Sequence, residues 1–449
     1  MTSSSAINLI VFLSVLTFLS FSQAADATPP VASGGSITLS EAVGEARNQS
    51  PKLQRSESAA SEASWKKVEA YSGFLPTVNL TTTYLTSYRY ALTDITLGGN
   101  PVSVPQVVPT SNVALTAQIP LFDGFASTNR LLSARSFSEA AQQDYSWTQF
   151  QVDREVTLQF YKTLGAQILK DVANQNVKTL QDHLNDVSLF KKAGLSTHYD
   201  VLRVEVQVSE AQTELLNSVD NIEINRNRLS ELFGRDTDGR ELAGALPVLS
   251  PELIKTIDVN NLKGRTDLQA LENKTEGFRQ NESSMERYWV PRINAFGQYQ
   301  YYNNLNDRFD DRDHYREAYQ IGLQLNWNLF DGMVSIAKSK QSIEQKYQAE
   351  KALRIAQIRA QQDASFWKRK YLYFCSVYQS RTADVKKSTE SLRLAKEGRR
   401  VGARTNTDLL DTETELFRAQ AAAVNAQVGA VEALINLELA TGQKLYTFN

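Results

Sequence analysis

The stretch Ile321-Gly322-Leu323-Gln324-Leu325-Asn326-Trp327-Asn328-Leu329-Phe330-Asp331-Gly332 decides the architecture, because two periodicities meet at its end. Up to Leu329, apolar residues fall at every second position. This puts Ile321, Leu323, Leu325, Trp327 and Leu329 on one strand face and Gly322, Gln324, Asn326 and Asn328 on the other. Beyond Gly332 the alternation stops, and Met333 to Val401 runs 69 residues without proline. Such a segment spans about 100 Å if helical, at roughly 1.5 Å per residue. Within it Trp367, Tyr371, Phe374, Tyr378, Val385 and Leu392 follow spacings of 4, 3, 4, 7 and 7, a narrow heptad-like seam that requires a partner helix.

The same junction occurs earlier in the chain. Leu121-Phe122-Asp123-Gly124 precedes Leu329-Phe330-Asp331-Gly332 by 208 positions. That offset persists through Gly194 and Gly402, Asp200 and Asp408, Glu205 and Glu413, and Gly234 and Gly442. Upstream, Leu53, Pro76 and Tyr84 return as Leu268, Pro291 and Tyr299 at an offset of 215, so seven residues are absorbed in a loop between Tyr84 and Leu121. The chain is therefore a duplicated unit of helix, β-hairpin and long coiled-coil helices. The first unit covers 37–245, with its hairpin at about 77–122 and its long helices and tip at about 125–233. A linker, 246–262, leads to the second unit, 263–445, with its hairpin at about 292–330 and its long helices and tip at about 333–441.

Each unit opens with a helical segment of mixed charge, about 40–74 and 263–290, stopped by Pro76 or Pro291. In the first unit Val78 to Tyr84 pairs with Val113, Leu115, Ala117, Ile119 and Leu121. In the second, Ile293 to Tyr301 pairs with the opening stretch. Two such hairpins cannot bury their own apolar faces. Four strands also fall short of the roughly eight that close a barrel, whereas a homotrimer supplies twelve. Tyr84, Tyr88, Tyr90, Tyr299, Tyr301, Tyr302 and Trp327 cluster in or beside these strands, as in membrane-interface belts. The hairpin loops are a Gly/Pro-rich one near 86–112 and one carrying Asp307, Asp310, Asp311 and Asp313, read as a solvated acidic loop.

Residues 1–24 read as a secretory signal peptide, an apolar run from Ile7 to Phe21 followed by Ser22-Gln23-Ala24. No later stretch is apolar enough for a membrane helix, so a membrane role must use strands. The 48 basic and 50 acidic residues nearly cancel and carry no signal for nucleic acid. Cys375 stands alone, and His183, His198 and His314 lack metal spacing and read as surface or packing residues. The residues suggest no catalytic group, metal or cofactor.

The duplicated proline-to-strand entry, the Leu-Phe-Asp-Gly exits, Val401-Gly402-Ala403-Arg404-Thr405 with Asp408-Leu409-Leu410-Asp411, and the final Leu439-Ala440-Thr441-Gly442 resemble the TolC-like outer-membrane efflux proteins over about residues 37–445. The resemblance implies an α+β membrane protein, a trimer whose twelve-stranded transmembrane β-barrel continues as a periplasmic α-helical barrel. It further implies an exit duct in the bacterial outer membrane for a tripartite efflux or type I secretion system. Such a duct works with a periplasmic adaptor and an energising inner-membrane pump.

By the same resemblance Gly194, Leu195, Ser196, Gly402, Ala403 and Thr405 form the adaptor-docking tip. Asp408 and Asp411 match the constriction aspartates. Arg404 matches the arginine that holds the gate closed against the first tip, where Asp200 is the corresponding acid. The competing reading is a soluble periplasmic coiled-coil scaffold or adaptor.

Overall fold

Short local signals start and stop each element. Thr38 opens α1 (Leu39–Gln49) with a reciprocal capping box: its hydroxyl accepts from Glu41 N while Glu41 reaches back to Thr38 N. Pro51 excludes helical backbone at Ser50 (φ −60°, ψ 119°), so the single helix expected over 40–74 breaks there and restarts as α2 (Pro51–Ala70). The computed structural model describes residues 36–86, 92–105, 109–234, 240–255, 258, 261–305, 310 and 312–448. The expected signal peptide, residues 1–24, lies outside them, as do Tyr88, Tyr90, Asp307 and Asp311.

Strands β1 (Thr77–Tyr84), β4 (Ser111–Phe122), β5 (Arg292–Asn303) and β6 (Arg316–Asn326) form one antiparallel sheet in the order β1-β4-β5-β6. The two hairpins thus join across the repeats, with Leu115 opposite Tyr299 and Ile119 opposite Ala295. The register gathers Val78, Leu80, Leu115, Ile119, Ile293, Ile321, Leu323 and Leu325 on one face. The other carries Asn79, Thr81, Thr116, Gln118, Gln298, Gln320 and Gln324.

The expected second hairpin overran at its end. Strand β6 stops at Asn326 rather than Leu329, because its partner β5 begins at Arg292, directly after Pro291, and leaves nothing to pair with. Trp327 instead donates its indole N–H to Trp289 O at 3.0 Å. The region 86–112, expected as a plain loop, contains a further antiparallel hairpin, β2 (Leu92–Leu97) with β3 (Asn100–Pro105). Gly98 and Gly99, at φ +58° and +88°, supply the two left-handed residues that such a tight turn demands.

The Leu-Phe-Asp-Gly exits turn strand into helix by a shared device. Gly124 and Gly332 are left-handed, as are the following Phe125 (φ +64°) and Met333 (φ +70°). The aspartate just before then accepts from the first helical turn, Ser127 N to Asp123 Oδ2 at 2.7 Å and Ser335 N to Asp331 Oδ2 at 3.0 Å. From these exits run α3 (Ala126–Lys192) and α6 (Val334–Arg400), each 67 residues and continuous as the proline-free spans predict. Each returns through a shorter helix of 36 residues, α4 (His198–Phe233) and α7 (Asn406–Thr441). The second repeat opens with α5 (Thr266–Met285). Helices α2, α4, α5 and α7 pack on α3, while α6 packs on α5 and α7.

The main core lies where these columns meet the chain ends. Val156, Phe160, Tyr161, Phe233, Tyr371, Leu434 and Leu437 interlock there with Ile37. The inter-repeat segment expected as a linker contributes too, through buried Leu246, Leu249 and Ile254. A buried ion pair, Arg154 Nη1 to Glu438 Oε2 at 2.7 Å, crosses from α3 to α7. The other oxygen of Glu438 accepts from Leu445 N and Tyr446 N, tying down the C-terminal segment. Among the described residues, no helix is long and apolar enough to cross a membrane.

Candidate functional site

The far ends of the long helices carry the expected tip residues, and their two turns are the same local structure. Gly194 and Gly402 both adopt φ +76°, which a side chain would strain. In the first turn Leu195 N donates to Phe190 O (2.8 Å) and Gly194 N to Lys191 O (3.0 Å). In the second, Ala403 N donates to Gly398 O (2.8 Å) and Gly402 N to Arg399 O (3.0 Å). This paired closure satisfies the last carbonyls of α3 and α6. Lys191, Lys192, Arg399 and Arg400 lie in those last turns, where the helix dipole favours cations. Leu195 is 77% exposed at the extremity.

The next helices begin with matching capping boxes. Thr197 and Thr405 each accept from the backbone N–H three residues on, and Asp200 and Asp408 each accept from the capping residue's own N–H at 2.9 Å. Asp200 takes two further bonds, from the Thr197 hydroxyl at 2.7 Å and from Ser196 at 3.1 Å. These bonds hold both carboxyls below the usual aspartate range. For Asp200 the Thr197 hydroxyl acts most strongly, and for Asp408 the Thr405 backbone N–H does. Arg404 adds a smaller attraction to Asp408. The Arg404 stem lies against Gly398, where an added Cβ would come within 2.7 Å of its Cγ. Among the described residues, no ion pair joins Arg404 to Asp200.

The two tips are bound together by residues the sequence had not singled out for that work. Arg203 on α4 donates to the Thr407 hydroxyl at 2.9 Å and lies 4.0 Å from Asp411 on α7. His183 on α3 is buried, its Nδ1 2.7 Å from Glu413 Oε2 and its Nε2 2.5 Å from Asn406 Oδ1. Arg399 donates to the same Asn406 oxygen and stacks over the Phe190 ring at 5.4 Å. Leu410 completes a small core with Val177, Leu180, Val187, Val201, Val204 and Val208.

The start of α7 is thus seated in the groove between α3 and α4. From sequence His183 reads as a surface or packing residue; in the fold it is a buried residue with a partner. Its isolation in sequence hid a partner 230 positions away.

The residue set therefore divides. Gly194, Leu195, Ser196, Gly402, Ala403 and Thr405 share one end of the helical columns; Asp200 and Asp408 cap their own helices; Asp411 faces Arg203 across the two repeats. Such an arrangement offers charged and apolar surface at one end of the helical columns.

A family model described as outer membrane efflux protein matches residues 42–235 and 259–443. Three solved structures share the fold. The outer membrane protein VceC from Vibrio cholerae aligns at TM-score 0.75 and 17% identity, over 91% of this chain and 97% of that one. CusC aligns at TM-score 0.77 and 13% identity, over 94% and 100%. The MtrE outer membrane channel from Neisseria gonorrhoeae, described in its open state, aligns at TM-score 0.71 and 19% identity, over 91% and 89%. A comparison with curated proteins finds no match.

Proposed function

The chain belongs to the outer membrane efflux protein family, and from that premise we propose how one protomer contributes to a gated export duct. Its place is the outer membrane, and its role is that of an efflux duct. The observation that carries the detailed reading is the sheet. Strands β1 and β6 are both edges, and the apolar face is bare, with Ile321 84% exposed. Edges and apolar surface of this kind are unfavourable in water, and closure within a bilayer removes both.

Three copies supply twelve strands, with the apolar face toward lipid and the Asn/Thr/Gln face toward the lumen. Tyr84, Tyr299, Tyr301 and Tyr319 toward the loop end of the sheet, and Trp289 and Trp327 toward the helices, suit the two membrane interfaces. The long helices carry the passage onward through the periplasm. The same bare apolar face weighs against a soluble scaffold.

At the other end, Gly194, Leu195, Ser196, Gly402, Ala403 and Thr405 present the surface for a periplasmic adaptor, with energy from an inner-membrane pump serving efflux or type I secretion. Arg404, Asp408, Asp411 and Asp200 form the constriction and its gate, which widens as the α6/α7 pair swings off α3/α4. The protein performs no chemistry of its own.

The test is single-channel conductance of purified protein in a planar bilayer. Wild type gives small discrete steps. Arg404→Ser gives larger ones, and Asp408→Asn with Asp411→Asn weakens block by divalent cations. A folded oligomer without steps in any variant overturns the duct; steps unchanged by either variant discard this gate.

A further inference from the structure

Arg203 and Asp411 occupy the same position in the two repeats, 208 residues apart, and their side chains meet at 4.0 Å. This is an unusual contact for a duplicated chain. Each repeat contributes two helical columns spaced about 8–10 Å, so equivalent positions on parallel columns stand roughly 16–20 Å apart, beyond the reach of the two side chains. Repeat mates can touch only where successive repeats converge on a common axis. Position 203/411 therefore marks that point of convergence.

A second asymmetry shows that the contact is half made in one chain. The second-repeat tip is seated on the first, and Leu410 (3% exposed) and Glu413 are buried by it. Their first-repeat mates, Leu202 (46% exposed) and Glu205, are bare. The surface that would cover them is the one α6 and α7 present, the equivalent of the α3/α4 groove. Within one chain that surface is on the wrong side; in a closed ring the adjoining copy provides it.

We propose that in the assembled trimer each Asp411 carboxylate lies between two Arg203 guanidinium groups, its own and that of the next copy, so that the ring at the tip alternates in charge. This rests on the trimeric duct proposed above and refines its constriction. Three arginines and three aspartates cancel, in place of a ring in which Asp411 adds three negative charges to those of Asp408. Six charge-assisted contacts then close the aperture, three within chains and three between them. The attraction of the constriction for cations then rests on the Asp408 carboxylates rather than on Asp411.

Cross-linking distinguishes the two layers of the argument. Full-length chain carrying Arg203→Cys, Asp411→Cys and Cys375→Ala is purified as oligomer and treated with a short bis-maleimide. Covalent dimers and trimers on a denaturing gel are expected. Intrachain product alone, from an oligomer verified by native mass, overturns the shared site and leaves the duct standing; a chain that is monomeric in detergent overturns both.

If the cysteine pair does not assemble, reversal potentials in a potassium chloride gradient decide. Arg203→Gln should raise the cation-over-anion permeability ratio by about twofold or more, and Asp411→Asn should lower it by a similar factor. An unchanged ratio in both variants overturns the alternating ring.

Discussion

The two tips share a backbone and differ in what surrounds it. Gly194 and Gly402 have the same φ, the two bonds that close each turn match at 2.8 and 3.0 Å, and both following helices open with a Thr-Asp capping box. Yet Leu410 is buried where Leu202 is half exposed, and buried His183 bonds Glu413 and Asn406 through its two ring nitrogens where its mate, Ser391, has none of that pairing. Turns and caps are settled by residues within one helical turn, so duplication reproduces them. Burial is settled by the neighbouring repeat, which differs at the two ends of a chain.

The sharpest test of that contrast is Leu410→Ala against Leu202→Ala. Hydrogen exchange of the tip helices should register a loss of about 3 kcal/mol for the first and under about 0.5 kcal/mol for the second in dissociated protomer. Equal losses would mean that the tips are not differently packed.

His183→Ala comes next. It leaves Glu413 buried without its partner, at a cost of about 2 kcal/mol by the same measurement, whereas Ser391→Ala costs close to nothing. A matching cost at Ser391 would erase the distinction.

The smallest effect should be the same at both tips. Thr197→Ala and Thr405→Ala should each cost about 1 kcal/mol, through lost helix caps. The pH dependence has a definite sign, since Asp200 and Asp408 are depressed below 3.8 in the folded chain. Their stabilisation is complete above that value and disappears as pH falls through the lower folded values. An acid titration of tip exchange checks this, and a loss appearing on raising the pH would contradict it.

Much of this could be read from residues. The 208-residue offset, the proline-free spans and the Leu-Phe-Asp-Gly exits located both long helices to within a residue or two, because each signal acts on its immediate neighbours. The break at Ser50 was legible in Pro51 yet overridden by the helical pattern around it. The β2–β3 hairpin was signalled by Gly98-Gly99 between short alternating runs, but prolines on both sides masked it. Of the site, Gly194 and Gly402, Asp200 and Asp408 were visible as pairs kept at the 208-residue offset. Arg203 and His183 were not, since each owes its partner to the packing of one repeat on another.

The sequence by itself determined the duplication, the element types and their ends, and the alternating faces of the strands. These follow from short-range sterics and hydrogen bonding. Only the tertiary structure decided that the hairpins join across the repeats, that the supposed linker enters the core, and that Asp411 meets Arg203. Those outcomes depend on which surfaces come together in space, and identical local sequence signals are compatible with more than one such meeting.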